Sequence, residues 1–214
     1  MAVSAGASSA SGVSVFLAEE SGKHSTENSD YIWLIDPLDG TMNYSHGDPF
    51  FSVSIALEHK GEVICGVVYD PVKNELFSAE KDSGAYMNED KIQVSRIGRL
   101  RDSLIVSGTF HHPEEEIMDK FLEILKKLSL SAQGVRRDGS AALDLCYVAC
   151  GRYESFWEIG LNPWDMAAGE LIVEEAGGKV TDLKGNEFTH YKGELIASNG
   201  LIHSEMAELL KPYF

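Results

Sequence analysis

Asp36 and Asp39 stand three apart in Asp36-Pro37-Leu38-Asp39-Gly40-Thr41, directly after the apolar run Tyr31–Ile35. Two carboxylates separated by Pro and Leu bracket a turn whose carbonyls can also point inward, and such oxygen donors suit hard cations, Mg²⁺ foremost. Gly40 and Thr41 then present backbone N–H groups and a hydroxyl, as an anion site at a helix start does. The plainer reading is that Asp-Gly is a turn and Pro a strand stop. Asp165, in Asn162-Pro163-Trp164-Asp165, falls in the first turn of a helix. There the helix dipole alone favours a carboxylate, or the residue brings a third ligand from the C-terminal half. Glu19 and Glu20 follow the apolar Phe16-Leu17-Ala18; adjacent loop acids are ordinarily solvated, but one that faces Asp36 becomes a ligand. Glu158 sits beside Phe156, Trp157 and Ile159, half-buried or on the outer side of an alternating strand. In Arg136-Arg137-Asp138-Gly139-Ser140-Ala141-Ala142, a helix start preceded by two arginines suits an anionic or polyhydroxylated ligand. Otherwise the arginines only pair with surface acids.

The elements that must position these groups follow from apolar spacing and turn residues. Tyr31–Ile35 reads as a buried strand. A meander follows over 50–57, 62–69, 75–79 and 85–88, with Lys60-Gly61, Asp70-Pro71 and Ser83-Gly84 as turns. From Leu104 the pattern changes to strand alternating with helix. Leu104–Ser107 is a strand, and Glu114–Leu128 is an amphipathic helix with Ile117, Phe121, Ile124, Leu125 and Leu128 on one face. Ser140–Cys150 and Pro163–Ala176 are helices, the first with Ser140 at its N-cap, the second with Asn162 as cap and Pro163 at the first helical position. Gly177-Gly178 stops the latter. Leu195–Ala197 is a last strand and Ile202–Leu210 a last helix. The pattern predicts a layered α/β protein: a linker-like tail over 1–15, an antiparallel-sheet half over 16–100 carrying the metal site, and an α/β half over 101–214.

Composition bounds the function. Lys and Arg total 18 against 34 Asp and Glu, a formal charge of −16, which speaks against sequence-independent nucleic-acid binding. No apolar run is long enough to span a bilayer, so a cytoplasmic protein with no membrane partner is expected. Cys65, Cys146 and Cys150 form no zinc-type pair, and Cys146 and Cys150 lie too close in one helix for a disulfide. They read as buried small apolar groups of a reducing compartment. His111-His112, before Pro113, read as surface residues.

The segments FLAEES (16–21), WLIDPLDGT (33–41), RRDGSAALDL (136–145) and EIGLNPWDMAAGELIVEEAGG (158–178) resemble, in type and order, the inositol monophosphatase family, its bacterial members most of all. The resemblance runs from Phe16 to the C-terminus and implies a five-layered αβαβα sandwich that works with two to three Mg²⁺ ions. It implies Glu19, Asp36 and the Leu38 carbonyl as ligands of a first metal. Asp36, Asp39 and Asp165 would hold a second, and Glu19 would face a third through water. Gly40 and Thr41 would hold the phosphate, while Asp39, Gly139, Ser140, Ala141 and Glu158 orient the substrate's hydroxyls. A small phosphorylated polyol is the expected substrate, inositol monophosphate first, in a lithium-sensitive homodimer. Related sugar and nucleotide phosphatases share these motifs.

Family members also carry a pair of long helices before the Glu-Glu-Ser segment, and an acid there that pairs with the threonine of DPLDGT. Here only an Ala/Ser/Gly-rich stretch precedes Phe16, and Thr41 has no such partner in the sequence. The expectation is a sandwich lacking its first helical layer, read as a gene fragment, with an inactive family member as the rival.

Overall fold

The structure is a computed structural model that describes residues 15–18, 22–24, 30–108 and 114–214. Residues 1–14 of the expected tail, Glu19 and Glu20, and His111-His112 lie outside the described residues, while Val15, the last residue of that tail, opens a strand.

The first sheet contains β1 (Val15–Ala18), β2 (Gly22–His24), β3 (Tyr31–Asp39), β4 (Ser52–His59), β5 (Glu62–Asp70), β6 (Glu75–Glu80), β7 (Gly84–Met87) and β8 (Asp90–Lys91), in the order β2-β1-β3-β4-β5-β6-β7-β8. From β3 onward it is the expected antiparallel meander, but β1 pairs with β3 in parallel, so the sheet is mixed. A short helix, α1 (Thr41–His46), follows β3. The strand expected to stop at Ile35 continues through Asp39, with a register shift between Asp36 and Asp39. Pro37 is tolerated there because the irregularity removes the need for its missing N–H.

The second sheet contains β9 (Leu104–Ser107), β10 (Gly134–Arg136), β11 (Ser155–Ile159), β12 (Lys179–Thr181) and β13 (Glu194–Ser198), ordered β10-β9-β11-β13-β12. The helices are α2 (Glu115–Ser131), α3 (Ala141–Ala149), α4 (Pro163–Glu175) and α5 (His203–Leu210). β10, β11 and β12 were not expected from the sequence. β11 is buried at four of its five positions, so it lacks the polar alternation that marks a half-exposed strand.

Two apolar cores stack these parts. Leu34, Val68, Phe77, Leu143, Met166, Ile172 and Phe156 belong to one core, which joins the first sheet to α3 and α4 and these to one face of the second sheet. Ile105, Trp157, Phe121, Ile124, Leu128, Met206 and Leu210 belong to the other, between the opposite face of the second sheet and α2 and α5. Strand period two explains the division: Val106 and Phe156 point one way, Ile105 and Trp157 the other. The fold is thus an α/β layered sandwich in the order sheet, helix pair, sheet, helix pair. On the outer face of the first sheet, Trp33–Leu57–Cys65 and Ile35–Ile55–Val67 form cross-strand ladders that belong to neither core. Of the cysteines, Cys146 is buried while Cys65 and Cys150 are half-buried, and all three are free thiols.

α4 crosses the first sheet in backbone contact. A Cβ added at Gly66 of β5 would lie 2.9 Å from the Ala168 carbonyl oxygen and 3.0 Å from its Cα. Gly66→Ala is therefore expected to cost about 1–3 kcal/mol, the usual range for overpacking against atoms that cannot turn aside. Urea unfolding checks this, and an unchanged midpoint would mean that α4 is free to shift on the sheet.

Candidate functional site

The carboxylates singled out by type meet where β3 ends. Asp36 is buried, and its Oδ1 accepts the Leu38 N–H at 2.9 Å. That closes the irregular turn and leaves the Leu38 carbonyl to accept the Thr41 hydroxyl, also at 2.9 Å. Thr41 itself is exposed. Gly40 adopts φ +88°, and a Cβ there would approach the Phe50 and Gly139 carbonyl oxygens to 3.0 and 3.2 Å. Only glycine fits a left-handed position this tightly overlaid.

Asp39 is the point of convergence. Its Oδ2 accepts the Ser140 hydroxyl at 2.5 Å, the Ala142 N–H at 2.9 Å and the Ser52 hydroxyl at 3.4 Å. Ser52 lies opposite Asp39 on β4, whereas Ser140 and Ala142 open α3 in the other half of the chain. Ser140 occupies the N-cap position of α3 but makes no side-chain cap bond; its hydroxyl goes to Asp39 instead. Asn43 reinforces the junction by donating to the Phe50 and Asp138 carbonyls, each at 2.7 Å. Neither Ser52 nor Asn43 was singled out by sequence, because both act through register and a turn rather than through a chemical signature.

Asp165 arrives on the first turn of α4. It completes a capping box, accepting the Asn162 N–H at 2.7 Å, so the plain capping reading of this residue is realised. The same turn is tied to the first sheet by Ser54, which donates to the Trp164 carbonyl at 3.1 Å. Ser54 is the β4 residue opposite Asp36. Thus Asp36 and Asp165 are joined through one short chain of contacts.

Glu158 is buried on β11, its carboxylate lying over Gly108, where an added Cβ would stand 1.7 Å from the carboxyl carbon. Gly139, Ser140 and Ala141 form the adjoining loop and helix start. Arg136 and Arg137 do not enter it as side-chain ligands: Arg136 donates to the Val135 carbonyl, and Arg137 donates to the Gly108 carbonyl and lies over the Phe121 ring.

The electrostatics call for positive charge. Burial raises Asp39 to about 6, although Ser140, Ala142, Ala141 and Ser52 pull the other way; all four are neutral donors, too weak to offset desolvation. Asp144, fully buried on α3, is driven well above the carboxylate range by burial and then by Asp138, Glu158 and Asp39. Neither of its oxygens has a hydrogen-bond partner among the described residues. Among the described residues, no three His, Cys, Asp or Glu side chains stand in metal-holding proximity. The expected ligand set includes a backbone carbonyl, that of Leu38, and Glu19, which lies outside the described residues. The donors present fit a hard divalent cation: they are all oxygens, and a buried carboxylate that neutral donors leave near 6 is what such an ion would hold ionised.

Comparison with known proteins agrees with this arrangement. The family model described as "Inositol monophosphatase family" matches residues 3–213. An inositol-1-monophosphatase of Mesorhizobium japonicum is 43% identical over 196 residues, covering 92% of this chain and 73% of the relative. The protein named Nus factor SuhB in Pseudomonas aeruginosa is 42% identical over 200 residues, covering 92% and 74%. Among solved structures, the extragenic suppressor protein suhB of Bartonella henselae superposes with a TM-score of 0.87 at 46% identity, covering 92% of this chain and 75% of that one. An inositol monophosphatase from Anabaena gives 0.86 at 44%, covering 92% and 78%. With the sandwich, the DPLDGT turn and the capped PWD helix all in place, the chain belongs to the inositol monophosphatase family.

Proposed function

We propose that this chain is a Mg²⁺-dependent phosphatase that hydrolyses a small phosphorylated polyol, with inositol monophosphate as the first candidate. The observation that supports it most is the convergence on Asp39 of donors from β4 and α3, beside the buried Asp36 and the Asp165 turn.

In this reading Asp36, Asp39, Asp165 and the Leu38 carbonyl would hold Mg²⁺, with Glu19 as a further ligand. Bound there, two to three Mg²⁺ ions would supply the Lewis acidity and charge that phosphate-ester hydrolysis needs. The chain's own groups do the positioning. Thr41 donates its hydroxyl hydrogen bond to the Leu38 carbonyl, which leaves the hydroxyl oxygen's lone pairs to accept one from the attacking water. Gly40 and Thr41 offer N–H groups to the phosphate. Glu158 and the Gly139-Ser140-Ala141 segment, with Asp39, orient the substrate hydroxyls as acceptors and donors. No serine or cysteine nucleophile is invoked.

A homodimer, inhibition by lithium and a cytoplasmic setting belong to the same proposal. Among the described residues, no helix is long and apolar enough to cross a membrane. Pocket shape decides between inositol phosphate and another sugar or nucleotide phosphate, because the metal-site residues act on the phosphate that all of them share.

Relatives carrying the name Nus factor favour a second reading, in which the chain serves transcription as a binding protein. With a formal charge of −16, any such role would rest on protein contacts rather than on nucleic acid. Fluorescence anisotropy with a labelled RNA at physiological salt should show no saturable binding, and a submicromolar Kd would overturn that.

Two predictions test the main reading. The purified chain should release phosphate from inositol 1-phosphate with Mg²⁺, stop with EDTA and slow with lithium. A folded protein that releases none, there or from fructose-1,6-bisphosphate and 3′-phosphoadenosine 5′-phosphate, would identify a silent family member. Asp36→Asn should lower kcat by about 10³-fold or more and weaken Mg²⁺ activation, since charge is lost where Mg²⁺ would be held. Asp165→Asn should do nearly the same. Near-normal turnover in the first would remove the metal scheme, and a mild effect in the second would leave Asp165 as a helix cap alone.

A further inference from the structure

His190 lies outside the candidate site, in a single 3₁₀ turn (His190–Lys192) before β13. Its ring is buried between two carboxylates from different layers. Nδ1 is 3.1 Å from Glu170 Oε2 on α4, and Nε2 is 3.0 Å from Glu58 Oε2 on β4. Glu58 also accepts the Tyr191 hydroxyl at 2.7 Å and the Gly61 N–H at 3.1 Å. An ionised carboxylate only accepts hydrogen bonds, so both ring nitrogens must donate, and the ring facing both is the imidazolium.

We propose that His190 is a positioning residue for the metal site, clasping α4 to β4 at the end away from the site and so fixing where Asp165 stands. This rests on the reading of Asp165 as a metal ligand. β4 and α4 are tied near the site by the Ser54–Trp164 bond at 3.1 Å, and away from it by the Glu58–His190–Glu170 bridge. Glu170 follows Asp165 by five residues, about 7.5 Å along the helix axis. Between them α4 bears on Gly66 at Ala168. Two ties on either side of one bearing point fix the angle at which a rigid helix crosses a strand, and Asp165 sits at the helix end that this angle moves.

The clasp depends on charge. Glu58 from β4, Glu170 from α4 and Tyr191 from its own turn are the titratable groups against the ring. The cavity beside it, about 450 Å³, is also walled by Glu62, Lys81, Asp82, Glu174, Glu175 and Glu187. Burial pushes the imidazole down, but Glu170 and Glu58 outweigh burial and hold it above its usual 6.5. Its contribution is therefore complete below 6.5 and is lost as pH rises through the folded value. A neutral ring turns a lone pair toward one carboxylate. Glu170, whose side chain is 16% exposed against 4% for Glu58, can turn to water, so the link to α4 is the one released.

The test compares wild type with His190→Gln, whose single amide cannot bridge both acids, and with His190→Lys, which keeps a cation at all working pH. The readout is the Mg²⁺ concentration at half-maximal thermal shift, from pH 6 to 9. His190→Gln should need about tenfold more Mg²⁺ than wild type at pH 6, a typical loss when a group supporting a metal ligand is removed. The ratio should close toward one as pH rises through the folded value of His190, where wild type loses its own clasp, and His190→Lys should recover most of the deficit. A ratio of one at every pH, or a melting temperature lowered without any change in Mg²⁺ midpoint, would overturn the positioning role alone. If wild type shows no Mg²⁺ response at all, the phosphatase reading falls and the positioning role falls with it. Should the variants not fold, wild-type amide exchange carries the test. Protection of α4, corrected for intrinsic exchange, should decline above pH 6.5, and constant protection would overturn the proposal.

Discussion

Asp39 is a buried carboxylate whose hydrogen bonds come from two distant parts of the chain, Ser52 on one side and, 88 residues further on, Ser140 with Ala142 on the other. Each of them offsets part of the cost of burying the carboxylate, since all three donate to the same oxygen. Everything around Asp39 is arranged to keep those donors in place. The register of β3 with β4 sets Ser52 opposite it. The left-handed Gly40 lets the following turn pass under the Gly139 carbonyl, and Asn43 pins that turn to both Phe50 and Asp138. The two sheets are held at this point by polar bonds and elsewhere by the apolar core that α3 and α4 share. The core supplies most of the stability, and the polar junction fixes the alignment.

The sequence displayed the parts whose signal is local. The apolar run Tyr31–Ile35, the Asn162-Pro163 start of α4 and its stop before Gly177 are each encoded within a few residues, and the structure places them as expected. The layered α/β fold was legible too, from the change of pattern at Leu104 and from the family motifs. What the sequence hid depends on distant partners. β11 looked like a patch of apolar residues around Glu158 because both of its faces are covered. Ser140 looked like a helix cap because nothing local says that Asp39 will compete for its hydroxyl. DPLD looked like a turn after a strand, although antiparallel partners at Ser54 and Ser52 keep it within the sheet around an irregularity. His190 carried no signal at all, since its two acids lie 132 and 20 positions away.

Like charge is the recurring cost of this design. Asp36, Asp39, Asp144 and Glu158 are all buried, and Asp144 is raised by the other acids as well as by burial. The flanking cations do not relieve this. Lys73 is bonded to Asp70, Arg152 grips Glu75 with both terminal nitrogens and lies over Tyr147, and Arg137 is held by the Gly108 carbonyl and the Phe121 ring. Each is committed to structure around the site rather than to a ligand within it. In the proposed phosphatase reading, a site that holds an anionic phosphate while its own acids repel one another needs charge from outside the chain. The oxygen-only donor set at the end of β3 is suited to bring it in as a divalent cation.

That division of labour also explains why α4 matters beyond its own contacts. The helix carries Asp165 in its first turn and Glu170 five residues further on, and it lies so close to β5 that Gly66 has no room for a side chain. A helix seated that tightly can pivot but cannot slide, because sliding would drive Ala168 into backbone. Pivoting is opposed near the first turn by Ser54 and, in the proposed clasp, at mid-helix by His190 through Glu170. The residues proposed to do chemistry are therefore few and near the end of β3, while those proposed to aim them reach to the opposite end of β4.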